Sequence, residues 1–245
     1  MLAEIAAEEY AAALDAAARA VLDEAGIDRP PVDALKLARL LGIAVALDDR
    51  QRGRARFVRL KGYRGSRPRE TIVLRPEARA ERRQWAIAHE IGEQAAWRVF
   101  AVLGVDPAEA APTARESVAN QLAGRLLLPG AWFAADAAEC GWDLLELKRR
   151  YRTASHELIA RRMLELPPPV IITIYDHQQV FLRRSNVPGC VPSPTAAELQ
   201  CWRAVHRGNH PRKTFDGLRS VQGWPVHEDG WKREILRSEV EQQFD

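Results

Sequence analysis

The stretch Ala86–Ala95, AIAHEIGEQA, constrains this chain more than any other ten residues. Small apolar residues surround three polar ones, His89, Glu90 and Glu93. In a helix, positions four apart lie one above the other, so His89 and Glu93 share a face and Glu90 sits one step around. The order His-Glu opens the metal-holding pattern H-E-x-x-H, but Glu93 stands where its second histidine would be. Gly92 adds a packing constraint. Inside a helix glycine costs ~1 kcal/mol against alanine, so it marks a close approach or a site. Taken alone, an ordinary amphipathic helix with a polar face would carry the same residues.

A metal ion needs a third ligand from elsewhere. The next helical segment, RESVANQLAGRLLLP, offers Glu116 and Asn120, again four apart. Two helices whose polar faces serve one ion must pack those faces together. Glu116 has a competing assignment, because Thr113-Ala-Arg-Glu116 spells a capping box in which the glutamate bonds back to its own helix start.

The surrounding chain divides by periodicity and by Pro/Gly punctuation. Residues 3–25 read as a helix with Tyr10, Leu14, Ala17 and Val21 on one face. VDALKLARLLG is a short helix closed by Gly42, whose missing Cβ suits a left-handed C-cap. Strands are expected at 43–47, 54–60 and 71–74, the last two joined by a loop containing Gly62, Gly65 and Pro68. A long helix beginning at Pro76 and reaching about Phe100 carries the opening motif, and another runs from Thr113 to Leu128. Helical segments continue to about Leu166. The strands VIITIYD and QQVFLRR follow the prolines at 167–169, and 185–194 reads as a linker. A helix from Thr195 and Trp-containing strand-like pieces complete the chain.

Taken together, these pieces resemble the ImmA/IrrE family of metallopeptidases. That family pairs an A-H-E-L-G-H-like helix with an E-x-x-A-N-x-F-A-x-x-L-L-M-P-like helix. The counterparts here are Ala88-His-Glu-Ile-Gly-Glu93 and Glu116-Ser-Val-Ala-Asn-Gln-Leu-Ala-Gly-Arg-Leu-Leu-Leu-Pro129. PPVDALKLARLLGIAV, TIVLRPEARAERRQWAIAHE and YRTASHELIARRMLEL match its other segments, so the resemblance spans about residues 30–185. It implies an α+β, zincin-like metallopeptidase domain, a small sheet packed on helices, over residues 30–184. An N-terminal helix (1–29) would precede it, and a linker with a small C-terminal extension (185–245) would follow.

The resemblance also implies site roles. His89 and Glu116 match metal ligands, Glu93 takes the place of the family's histidine ligand, and Glu90 matches the general base. His156, in the segment ASHELIARR, is a candidate oxyanion donor. The implied activity is a metal-dependent endopeptidase cleaving a protein substrate, typically a helix-turn-helix repressor, in a stress or mobile-element response. The alternative is a catalytically degenerate module of the same fold that binds or senses. A His-Glu-Glu set cancels the charge of a divalent ion, so its water should be less acidic than at a His-rich centre. It also leans toward harder ions such as Mn²⁺, although glutamate is an ordinary Zn²⁺ ligand.

Other features are weaker. The net charge of +3 is too small to imply nucleic acid, and no direct nucleic-acid binding is expected despite a helix-turn-helix cadence in residues 143–163. The basic group Arg203, His206, Arg207, His210, Arg212 and Lys213 reads as a solvated face. Cys190, Cys201, His206 and His210 match no usual zinc-finger spacing. Three cysteines are too few for a disulfide framework, and neither a signal sequence nor a membrane span is visible. A cytoplasmic protein is expected.

Overall fold

The computed structural model describes residues 5–60, 68–217 and 219–240. These form two compact units, Met1–Ala135 with Arg150–Ser155, and Asp136–Arg149 with His156–Asp245. Eight helices and two sheets among the described residues make the chain α+β.

The first unit begins with α1 (Ala7–Glu24), which buries Leu14, Ala17, Val21 and Leu22 as its 3.6-residue spacing requires. Tyr10 uses its polar tip instead, and its hydroxyl accepts from Gln121 Nε2 at 3.1 Å. Helix α2 (Ala34–Leu40) starts at Asp33, whose carboxylate accepts from the backbone N–H groups of Leu35 and Lys36. It stops at Gly42, at φ +77°, and Ile43 N–H reaches back to Ala38 O at 2.8 Å. That is the left-handed glycine ending expected of this position.

Strands β1 (Ala44–Leu47), β2 (Ala55–Leu60) and β3 (Arg69–Leu74) form a sheet ordered β1-β3-β2. The central strand β3 runs parallel to β1 and antiparallel to β2, and its TIVL run is buried throughout. Gly62 and Gly65 of the expected loop lie outside the described residues.

Helix α3 (Ala80–Val102) starts four residues after Pro76, later than the proline predicts. Glu77 holds the intervening turn: its carboxylate accepts from Arg79 N–H at 3.1 Å, and its carbonyl accepts from Arg83 Nη1 at 2.6 Å. Helix α4 (Pro112–Leu127) packs against α3 and α1. Thr153 Oγ1 donates to Val32 O at 2.8 Å, and Tyr151 meets Phe133 at 5.4 Å, which holds residues 150–155 to this unit. Helix α5 (Gly130–Glu139) runs across the boundary between the units.

The second unit holds α6 (Leu144–Arg150) except for its last residue, α7 (His156–Met163), α8 (Ala196–Gly208) and a five-stranded antiparallel sheet. The strands are β4 (Val170–Asp176), β5 (Gln179–Ser185), β6 (Arg212–Asp216), β7 (Arg219–Pro225) and β8 (Arg233–Glu239), in the order β5-β4-β8-β7-β6. The β4–β5 hairpin expected from VIITIYD and QQVFLRR is present, but β4 also pairs along its whole length with β8. The pieces after residue 185 therefore complete a sheet that begins before it. VIITIY is buried at every position rather than alternately, so both faces of this strand are covered.

Helix α8 opens with a capping box between Thr195 and Glu198. Its buried face, Cys201 and Val205, packs on Tyr175, Val221 and Leu236 of the sheet. Glu198 is 2% exposed and accepts two parallel hydrogen bonds of 3.0 Å from Arg183, plus 2.6 Å from Ser238 Oγ.

Candidate metal centre

The site is built on the contact between α3 and α4. A Cβ added at Gly92 would stand 2.7 Å from Ala119 O and 3.2 Å from Leu122 Cβ, so only glycine lets the two backbones come this close. Ala88, Ala95 and Ala96 on α3, with Ala119 and Ala123 on α4, keep the remainder of the seam thin.

That approach brings the polar faces together, as the spacing of residues predicts. His89 Nδ1 lies 3.1 Å from Asn120 Oδ1, and His89 Nε2 lies 3.7 Å from Glu116 Oε1. Asn120 also donates from Nδ2 to Glu116 Oε1 at 3.1 Å. A carbonyl oxygen accepting from Nδ1–H leaves Nε2 as the free lone-pair nitrogen, which is how outer partners prepare a ligating imidazole. Asn120 is thus a positioning residue for both His89 and Glu116.

The capping-box assignment for Glu116 does not hold. The N-cap is Ala111, with Pro112 in the first turn and no side-chain cap. Proline presets the helical φ and has no N–H to satisfy, so the helix starts before Thr113 and leaves that residue inside it. Glu116 is free to face His89.

Among the described residues, His89, Glu90 and Glu93 each offer a ligand atom, all within 4.8 Å of one another. Glu116 joins through His89, so His89 is the member common to both pairings. Glu93 is exposed, the Glu116 side chain is 61% exposed and His89 is 17% exposed, so the open side of the cluster is carboxylate-lined. Glu90 differs: it is buried at 6%. Burial first, then the negative charge of Glu93, raises its pKa above the usual carboxylate value, against the pull of His89 and a hydrogen bond from the Phe57 backbone. A donor set of one imidazole and flanking carboxylates suits a divalent cation, zinc or manganese, and the residues present fit one.

With this geometry in place, similarity to known proteins bears on it directly. Residues 54–164 match the family model of the IrrE N-terminal-like domain, Peptidase_M78. That segment belongs to the ImmA/IrrE family. The IrrE-like segment contains β2, β3, α3, α4 and α7, and with them His89, Glu90, Glu93 and Glu116. The fold as a whole is similar to a solved structure described as a "Mycobacterium tuberculosis transcriptional regulator". That similarity has a TM-score of 0.65 at 18% identity and covers 92% of this chain and 75% of that one. No curated protein matches the chain.

His156, the expected oxyanion donor, is the first residue of α7 in the second unit and is half-buried. The second set of cysteines and histidines is not brought together as a site. Cys190 is exposed, Cys201 is buried with its sulfur facing the carbonyls of Arg212 and Val221, and His210 bonds to Gly208 O. The orienting role of Asn120 is not evident from the sequence, although its place one turn after Glu116 is the signal available there. Among the described residues, no helix is long and apolar enough to cross a membrane.

Proposed function

We propose that this chain is a metal-dependent endopeptidase of an altered H-E-x-x-E type, acting on a protein substrate of the helix-turn-helix repressor class in a stress or mobile-element response. The observation that carries the reading is the His89–Asn120–Glu116 arrangement beside a buried Glu90. His89, Glu93 and Glu116 would hold a divalent ion, zinc or manganese. Bound there, the ion would supply Lewis acidity toward the scissile carbonyl.

The chain's own residues supply the proton handling. Glu90, one step around the helix from His89 and raised in basicity by burial, takes a proton from the attacking water and passes it to the departing amide nitrogen. Asn120 keeps the His89 ring from turning. A recess of about 450 Å³ lined by Glu93, Glu116, Arg115 and Trp97, the last 58% exposed, gives an extended peptide a mixed polar and aromatic surface next to the carboxylates. An oxyanion role for His156 rests on the resemblance. The mycobacterial structure is described as a transcriptional regulator, which accords with a regulatory setting. A cytoplasmic location, expected from cysteines too few and unpatterned for a disulfide framework, belongs to the same proposal.

The test combines metal analysis with proteolysis. Purified chain is assayed for bound zinc and manganese, then incubated with casein and with a panel of helix-turn-helix repressors, with and without chelator. Cleavage abolished both by chelator and by Glu90→Gln, with metal content unchanged in that variant, is the expected result. A wild type with no affinity for either metal would sink the peptidase and leave the binding-module alternative.

A further inference from the structure

The second unit contains a cluster that the peptidase reading does not use. Glu234, on β8, is completely buried, at 0% side-chain exposure. Its Oε1 lies 2.9 Å from His206 Nδ1 and 2.6 Å from His227 Nε2, while its Oε2 accepts from Trp202 Nε1 at 3.1 Å. Removing a carboxylate from water costs several kcal/mol unless strong partners replace the solvent. The other buried glutamate of this unit, Glu198, has a guanidinium to balance it. Glu234 has two imidazoles and an indole.

The cluster joins three elements: α8 supplies His206 and Trp202, the loop after β7 supplies His227, and β8 supplies Glu234 itself. The three ligand atoms lie within 4.8 Å of one another. The imidazoles are 19% and 12% exposed, so the cluster is sheltered but reachable. Trp202 fixes the carboxylate from behind, stacking on Tyr175 at 4.9 Å and lying 5.8 Å from the His206 ring. Holding Oε2 with an indole N–H leaves Oε1 as the one oxygen aimed between the two rings, which is the outer-partner arrangement that orients a metal-ligating carboxylate.

We propose that His206, His227 and Glu234 form a second divalent-metal site, of zinc class, that fastens α8 to the sheet. Two imidazoles and one carboxylate are a recurrent zinc set, with the fourth position left to water. His206 ligates through Nδ1 and His227 through Nε2, each giving up at that nitrogen the proton it otherwise donates to Glu234. The ion replaces a hydrogen-bonded cluster by a bond network joining α8, the β7–β8 loop and β8.

The test uses full-length His89→Ala, in which the first site is disabled, so its outcome is separate from that of the peptidase proposal. Zinc titration after chelation should show one tightly bound equivalent and a raised unfolding midpoint of the second unit. Adding His227→Ala should weaken binding by on the order of a hundredfold or more, since losing an outer partner alone costs ~10–100-fold. X-ray absorption of the zinc-loaded His89→Ala protein should show two imidazole ligands, a reading that does not depend on the double variant folding. A zinc edge with only oxygen ligands, or titration curves unchanged by His227→Ala, overturns the proposal and leaves a His–Glu–His hydrogen-bonded cluster.

Discussion

Replacing Gly92 by alanine tests the contact on which the metal centre is built. The new Cβ would sit 2.7 Å from Ala119 O, 3.2 Å from Leu122 Cβ and 3.3 Å from Ala123 N. Two of these three atoms are backbone, so no side chain can swing away from them. Reaching an ordinary C···O contact of about 3.3 Å requires α3 and α4 to separate by about 0.6 Å. Overpacking of this kind costs about 1–3 kcal/mol, while alanine's better helix propensity returns ~1 kcal/mol. Because the blocked atoms are rigid, the upper half of the range applies, and a net loss of about 1–2 kcal/mol is expected. For a chain of this size that lowers the unfolding midpoint of the first unit by roughly 2–8 °C. The same displacement draws His89 away from Asn120 and Glu116, so divalent-metal affinity falls as well. Calorimetry and metal titration of wild type and Gly92→Ala provide the check. An unchanged or raised midpoint with intact metal binding would refute the reasoning, because it would show that the seam has slack.

Further outcomes are expected elsewhere. Asn120→Ala should leave the fold intact but reduce metal affinity by about 10–100-fold, read by competition with a chromophoric chelator, because His89 and Glu116 lose their shared orienting partner. Glu93→His should shift preference from Mn²⁺ toward Zn²⁺ without unfolding the chain, as measured by paired titrations. Glu198→Gln should cost the second unit about 3–5 kcal/mol, seen in urea unfolding, since it leaves the Arg183 guanidinium mostly buried and unbalanced. Burial alone would raise the Glu198 pKa, but Arg183, Ser238 and the Thr195 N–H outweigh it and hold the group below the ordinary carboxylate value. Its stabilisation is therefore complete above the unfolded-state pKa and is lost as pH falls through the lower folded value; Glu198→Gln should flatten that acid limb of the stability profile.

Local pattern alone determined much of this protein. The helix carrying His89, Glu90 and Glu93, the glycine stop at Gly42, the β4–β5 hairpin and the helix opened by Thr195 all follow from nearest-neighbour chemistry: periodicity, a missing Cβ, a capping side chain. The meaning of Gly92 was equally legible, because glycine in a helix interior is costly unless something presses against it. Starts of helices were less so. Pro76 pointed to a start four residues early because Glu77 holds a turn there, and the Thr113 box was pre-empted by Pro112, one residue away. Only the tertiary structure decided which distant residues meet. Asn120 became the hinge of the candidate site because α4 lies against α3 at one register, and the strands after residue 185 joined β4 because β4 needed a partner on its second edge. His206, His227 and Glu234 are separated by loops and strands, with no spacing that binds them in the sequence. Their convergence on one buried carboxylate oxygen is a product of sheet register and helix packing, which act between residues far apart in the chain and leave no local pattern to read.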